Sequence, residues 1–283
     1  MQVVRTIADA RRERASMGAI ALVPTMGALH AGHLSLIEEA KKRVPRVAVS
    51  IFVNPTQFGP REDFSKYPRP IEEDLAKCEA AGVELVFNPA LEEMYRPDTC
   101  DVVVDLPTLS SVLEGKHRPG HFKGVCQVVS KLFNILTPNF ACFGRKDFQQ
   151  LRILTAMVEG LDWPIEVVGC PTIREEDGLA MSSRNQFLSA DERQRALAIY
   201  RALSLAQKEF SEGVRQTNRL LATMQHNLMD KGNLGRVPFS VDYVAAVDTL
   251  SLKPVETITS PTVLAAAARV GSTRLIDNVV VEP

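Results

Sequence analysis

Several large protein classes are excluded by what this 283-residue chain lacks. It has five cysteines, Cys78, Cys100, Cys126, Cys142 and Cys170, an odd number with no CxxC pair. That disfavours a disulfide framework or a zinc site and points to a reducing compartment. Charge of one sign is not in excess, with 33 basic against 34 acidic residues. Without a basic face no nucleic-acid partner is expected, although a small anionic ligand remains open. No apolar run reaches membrane-spanning length, and the charged start (Arg5, Asp9, Arg11, Arg12) holds no apolar signal core. No membrane partner is expected, and the cytoplasm is the expected location. Internal repeats, low-complexity stretches, a Walker A loop and a GxGxxG turn are also missing, which disfavours a P-loop kinase.

What is present alternates. Short β-rich runs at 19–23, 47–52, 83–87 and 140–143 are apolar on both faces, as in strands of a parallel sheet covered by helices, and 165–170 is the last strand of this half. Helical patterns lie between them. One carries Leu34, Ile37, Ala40 and Val44; one starts at Pro70 and runs through Leu75 and Cys78. A third carries Phe122, Val125, Val129, Leu132 and Leu136, and a fourth runs from Lys146 through Leu151, Leu154 and Val158. This order predicts an α/β, Rossmann-like, doubly wound parallel sheet over residues 1–175, with ligands at the carboxyl ends of its strands. The pattern changes after about Ile173. Ser189 and Glu192 form a capping-box signature for a helix to about residue 210, and a second helix covers roughly 214–231. Strands at 241–247 and 263–270 and a short tail complete a smaller C-terminal α+β domain, residues 176–283.

Four groups of residues could carry chemistry. The turn Pro24-Thr25-Met26-Gly27-Ala28-Leu29-His30-Ala31-Gly32-His33 joins a buried strand to a helix. Helix N-terminal N–H groups there form an anion site, and imidazole N–H groups can follow charge building on a phosphate oxygen. A helix cap with two surface histidines, or half of a metal site, reads the same letters differently. The second group is Met181-Ser182-Ser183-Arg184-Asn185, whose hydroxyls and guanidinium can grip a triphosphate, or else form a solvated linker. The third is Gly144-Arg145-Lys146-Asp147, where Lys146 can reach a phosphate and Asp147 a ribose, or where an ordinary turn shows charges to water. The fourth comprises Asn54-Pro55-Thr56-Gln57-Phe58 and Gln149-Gln150, just past strands. A neutral amide in a crevice can hold a carboxylate without fully neutralising the charge that makes it nucleophilic, or these are ordinary surface glutamines.

An HxGH turn after an early strand, paired with a Ser-Ser loop after the last one, resembles the HIGH-type nucleotidyltransferases. The whole chain resembles one family within them, the pantoate–β-alanine ligases. The likeness runs through Val23–His33, Ser50–Pro55, Gln57-Phe58, Tyr67-Pro68-Arg69, Arg118–Phe122, Asp147–Gln150, Asp177–Asn185 and Leu275–Asn278. It implies that pantoate attacks the α-phosphorus of MgATP to give pantoyl adenylate, which β-alanine converts to pantothenate and AMP. By motif, His30, His33 and Lys146 are the catalytic candidates, with His33 at the position assigned as proton donor. Met26, Gly27, Ala28, Leu29, His30, Ala31, Gly32, His33, Gly144, Arg145, Lys146, Asp147, Ile173, Met181, Ser182, Ser183 and Arg184 match the ATP site. Gln57 and Gln150 match the pantoate site, with Gln57 also near β-alanine. Glu73 and Asp74 fall where the family has acids near the metal, Mg2+, though an acidic helix face reads equally well. The resemblance also implies a C-terminal lid and a homodimer formed through the larger domain. Arg145 departs from the family, which usually carries an acid there. Another HIGH-type transferase, leaving the nucleotide on its product, is the runner-up; a nucleotide-binding regulator is the non-enzyme alternative.

Overall fold

The computed structural model describes residues 1–60, 62, 64–98, 102–229 and 237–283. The chain divides into two compact units. One is Met1–Arg145 with Gln150–Pro171; the other is Lys146–Gln149 with Thr172–Pro283.

The first unit is built on β1 (Gln2–Val4), β2 (Ala21–Thr25), β3 (Val47–Ile51), β4 (Leu85–Phe87), β5 (Phe140–Gly144) and β6 (Glu166–Cys170). All pairings are parallel, in the order β1-β4-β3-β2-β5-β6. Every residue of β3 is buried, because both faces of the sheet are covered. One face packs against α1 (Ile7–Ala15), α7 (His121–Leu136) and α8 (Phe148–Gly160), through Ala10, Phe133, Leu136, Ile153 and Leu154. The other packs against α2 (Ala31–Lys41) and α3 (Ile71–Ala80), through Leu36, Ile37, Ala40 and Cys78. Short helices α4 (Leu91–Met94), α5 (Pro107–Ser110) and α6 (Glu114–His117) fill the β4-to-α7 connection. From β2 the chain winds outward to β3 and β4, then returns to β5 on β2's other side. That reversal opens a crevice at the carboxyl ends of β2 and β5, where Thr25 and Gly144 stand.

The doubly wound sheet is therefore the expected one. The pattern of the sequence did not reveal β1 or α1. β1 is three residues long with one buried side chain, and α1, IADARRERA, buries only Ala10 fully, so neither shows a clear period.

In the second unit α9 (Ala190–Ser211) and α10 (Thr217–Met229) pack on the antiparallel sheet β7 (Phe239–Asp248), β8 (Thr262–Val270) and β9 (Thr273–Val281). The expected capping box is present: Ser189 Oγ accepts from Glu192 N at 3.3 Å, and Glu192 Oε2 accepts from Ser189 N at 2.9 Å. The end of the helix expected over 214–231 lies outside the described residues. The segment read as a short tail is β9, paired along its whole length with β8. Among the described residues, no helix is long and apolar enough to cross a membrane.

Candidate active site

The turn after β2 is locked from behind. Thr25 Oγ1 donates to Ser50 O at 2.8 Å and accepts from Gly27 N at 3.1 Å. Gly27 has φ +83°, and a Cβ there would lie 2.9 Å from Asp74 Oδ2, so both backbone sign and space demand glycine. Asp74 is fully buried in the first turn of α3. Its two carboxylate oxygens accept from Ala28 N at 2.8 Å and Leu29 N at 2.7 Å. Lys77, one turn on, donates to Leu29 O at 2.8 Å.

The turn ends on His30, the N-cap of α2. His30 Nδ1 accepts from Gly32 N at 3.1 Å, and His33 Nδ1 accepts from His30 N at 3.3 Å. The two imidazoles thus form a reciprocal capping box with ring centroids 4.1 Å apart. Since both Nδ1 atoms are acceptors, the neutral rings carry their hydrogen on Nε2. The first turn of α2 holds no acidic residue, so the positive end of the helix is not neutralised from within. Two N–H donors at a helix N-terminus beside the crevice are suited to an anion whose charge rises.

Glu73 and Asp74 are not brought together as metal ligands. Asp74 faces inward onto backbone N–H groups, while Glu73 is 73% exposed and lies 3.9 Å from Lys77 Nζ. Among the described residues there is no group of three His, Cys, Asp or Glu that could hold an ion. Asp74 thus serves the backbone of the turn while Glu73 stands at the surface; consecutive residues on a helix point in different directions, which the motif alone does not reveal.

Gln57 closes a 3-10 turn, Pro55–Gln57, just past β3, and is 8% exposed. Its amide orientation follows from its neighbours. Tyr95 Oη donates to Asn54 Oδ1 at 2.8 Å, and Thr56 Oγ1 donates to the same oxygen at 3.0 Å. Burial pushes the Tyr95 phenol up, which keeps it a donor. Asn54 Nδ2 must then donate, and it reaches Gln57 Oε1 at 3.1 Å and Gly124 O at 3.0 Å. With its oxygen so engaged, Gln57 donates from Nε2 to Met26 Sδ, 3.1 Å away. Gly124 lets α7 approach this turn; a Cβ there would sit 2.3 Å from Thr56 O. A cavity of about 420 Å³ beside Met26 and Gly27 is lined also by Phe52, Phe64, Arg69 and Asn88. Gln150 is half-buried in the first turn of α8, past β5.

At the end of β5, Gly144 is followed by exposed Arg145, whose Nε donates to Gly169 O at 3.1 Å. In the second unit, Lys146 O accepts from Asn278 Nδ2 at 2.8 Å, and Lys146 and Asp147 form a 3-10 turn with Arg145. The same unit holds Ile173 and Met181 together by Met181 N donating to Ile173 O at 3.0 Å. Ser182 caps the turn Ser183–Phe187, accepting from Arg184 N at 3.3 Å. Arg193 anchors the segment by pairing with Glu175 at 2.7 Å and Asp177 at 2.6 Å. Arg174 pairs with Asp277 at 2.6 and 3.0 Å and lies 3.9 Å from the Tyr200 ring centroid. Pattern reading missed Asp74 as a clamp, the Tyr95–Asn54 pair, and the chain of Glu62, Arg118 and His121 against Gln57. Of these, Asn54 and the Arg118–Phe122 run carried a signal as part of the likeness, and Asp74 carried one only as an acid near the metal.

Fold and turn together are those of a nucleotide-using α/β enzyme. The family model for pantoate–β-alanine ligase matches residues 2–280. Pantothenate synthetase of Clostridium novyi is 50% identical over 259 residues, 92% of this chain and 89% of the relative. The crystal structure of pantothenate synthetase from Thermus thermophilus superposes with a TM-score of 0.93, at 43% identity over 100% of both chains. A pantoate–β-alanine ligase from Francisella tularensis, in complex with a β-γ ATP compound and β-alanine, gives a TM-score of 0.77 at 32% identity, covering 99% of this chain and 97% of that one. The chain belongs to the pantoate–β-alanine ligase family and is a ligase.

Proposed function

We propose that the enzyme condenses pantoate with β-alanine in two steps through a pantoyl adenylate. The carboxylate oxygen of pantoate attacks the α-phosphorus of MgATP, and the bond from that phosphorus to the bridging oxygen breaks, releasing pyrophosphate. The amine of β-alanine then attacks the acyl carbon and expels AMP, leaving pantothenate. The observation that carries this reading is the His30–His33 capping box at the N-terminus of α2, which engages both Nδ1 atoms as acceptors and leaves the ring hydrogens on Nε2. Such donors stabilise charge on the phosphate oxygens as it develops. Lys146 supplies a further positive charge to the phosphates.

The ATP site draws on Met26–His33, Gly144–Asp147, Ile173 and Met181–Arg184. The Francisella relative's complex with a β-γ ATP compound and β-alanine supports ATP and β-alanine as ligands here. Gln57 and Gln150 hold pantoate, and an amide donor such as Gln57 Nε2 suits the oxygens of a hydroxy acid. Magnesium enters as part of the substrate MgATP, and Glu73 and Asp74 are not assigned to it. The working form is a cytoplasmic homodimer; the four described cysteines are free and buried, in keeping with a reducing compartment.

Isotope exchange between pyrophosphate and ATP tests the order of steps. Exchange is expected with pantoate alone. An absolute requirement for β-alanine would replace the adenylate with a concerted route.

A further inference from the structure

We infer that His121 is a positioning residue that fixes the main chain of Gln57, with Arg118 and Glu62 acting through it. His121 is the first residue of α7 and is buried. Its Nδ1 lies 2.8 Å from Gln57 O, and its Nε2 lies 3.0 Å from Arg118 Nη1. A carbonyl can only accept and a guanidinium can only donate, so the ring is held as the Nδ1–H tautomer. Arg118 is fixed in turn by a two-pronged pair with Glu62, at 2.8 and 2.6 Å. Glu62 stands beyond Gln57 on the same loop, so this chain holds the loop on both sides of Phe58.

The side chain of Gln57 has its own support in Asn54. Main chain and amide are therefore held by separate groups, and both are needed to place Nε2. Loss of the His121 contact leaves a buried carbonyl unsatisfied and lets the turn relax while the amide keeps its polarity. The geometry then fails in position and not in chemistry. Hence the effect belongs to the substrate that Gln57 touches, and not to ATP. This rests on the reading of Gln57 as a pantoate-holding residue.

The experiment is steady-state kinetics and ATP titration on the full-length enzyme carrying H121N, H121Q, H121A or Q57A. The asparagine amide nitrogen can take the place of Nδ1, whereas the glutamine amide reaches the place of Nε2. H121A should raise the KM for pantoate by ~10-fold or more with a much smaller change in kcat, the size expected for one buried hydrogen bond. H121N should recover most of that loss, H121Q should not, and the Kd for ATP should stay within ~2-fold of wild type in all three. If H121A does not fold, the contrast between H121N and H121Q decides alone. A normal pantoate KM in folded H121A, or H121N no better than H121Q, overturns the inference. Q57A separates the two readings: if it also leaves pantoate KM unchanged, the assignment of Gln57 fails and the inference with it. If Q57A impairs pantoate while H121A does not, only the inference fails.

Discussion

Asp74 turns both carboxylate oxygens onto the backbone of the turn that carries His30. Its replacement by asparagine leaves one acceptor for two donors, so D74N should lose ~1–3 kcal/mol of stability and a large part of its turnover. Denaturant unfolding and kcat check this, and raising Mg2+ should restore neither. Recovery with excess Mg2+ would return Asp74 to the metal. His33→Ala should lower kcat by ~100-fold or more in a folded protein, as for loss of a positioned donor. His121 adds a pH dependence of stability. Burial, reinforced by the Arg118 charge, lowers its pKa from 6.5 to about 4. As pH falls from 6.5 toward 4 the unfolded chain takes up the proton and the folded one does not, so stability present above that window is lost within it. Unfolding free energies of wild type and H121N between about pH 7 and about pH 4 should diverge in slope, with the variant flatter; parallel curves would contradict the buried neutral ring.

Among the secondary-structure elements, α7 and the Pro55–Gln57 turn depend on close approach. Gly124→Ala places a methyl 2.3 Å from Thr56 O, where backbone must shift. G124A should therefore raise the KM for pantoate and lower the melting temperature together, measured by kinetics and thermal unfolding; an unchanged KM would mean that the turn does not set Gln57. The elements also show what a sequence makes legible. Buried parallel strands such as β3 and the capped helix α9 were readable because period, length and caps agree locally. The polar α1, the three-residue β1 and the terminal β9 were not. α1 buries too little to show a period, and the two strands are defined by pairing that the local letters do not announce. The site divides in the same way. The HxGH turn, the Ser-Ser loop and Gln57 are candidates by residue type taken together with one another and with the likeness. Asp74 reads as one more acid on a helix until the fold sets it beneath Ala28 and Leu29.

At the scale of the whole molecule, charge is balanced, and long-range fields give little help to an anionic substrate. Local charges such as Arg145 then act weakly and through space. Arg145 is exposed and occupied with Gly169 O. R145E should raise the KM for ATP a few-fold at low salt, with kcat nearly unchanged, and the effect should fade as salt screens it within ~8–10 Å. A hundredfold fall in kcat that persists in salt would put Arg145 on the reacting phosphates.

The proposed route requires the carboxylate of pantoate to become bonded to the α-phosphorus before the amide forms. Running the reaction with pantoate labelled with oxygen-18 in both carboxylate oxygens follows that bond atom by atom. One labelled oxygen should appear in the phosphate of AMP and the other should remain in the amide carbonyl of pantothenate. Label absent from AMP, or found in phosphate released from the far end of ATP, would contradict the adenylate.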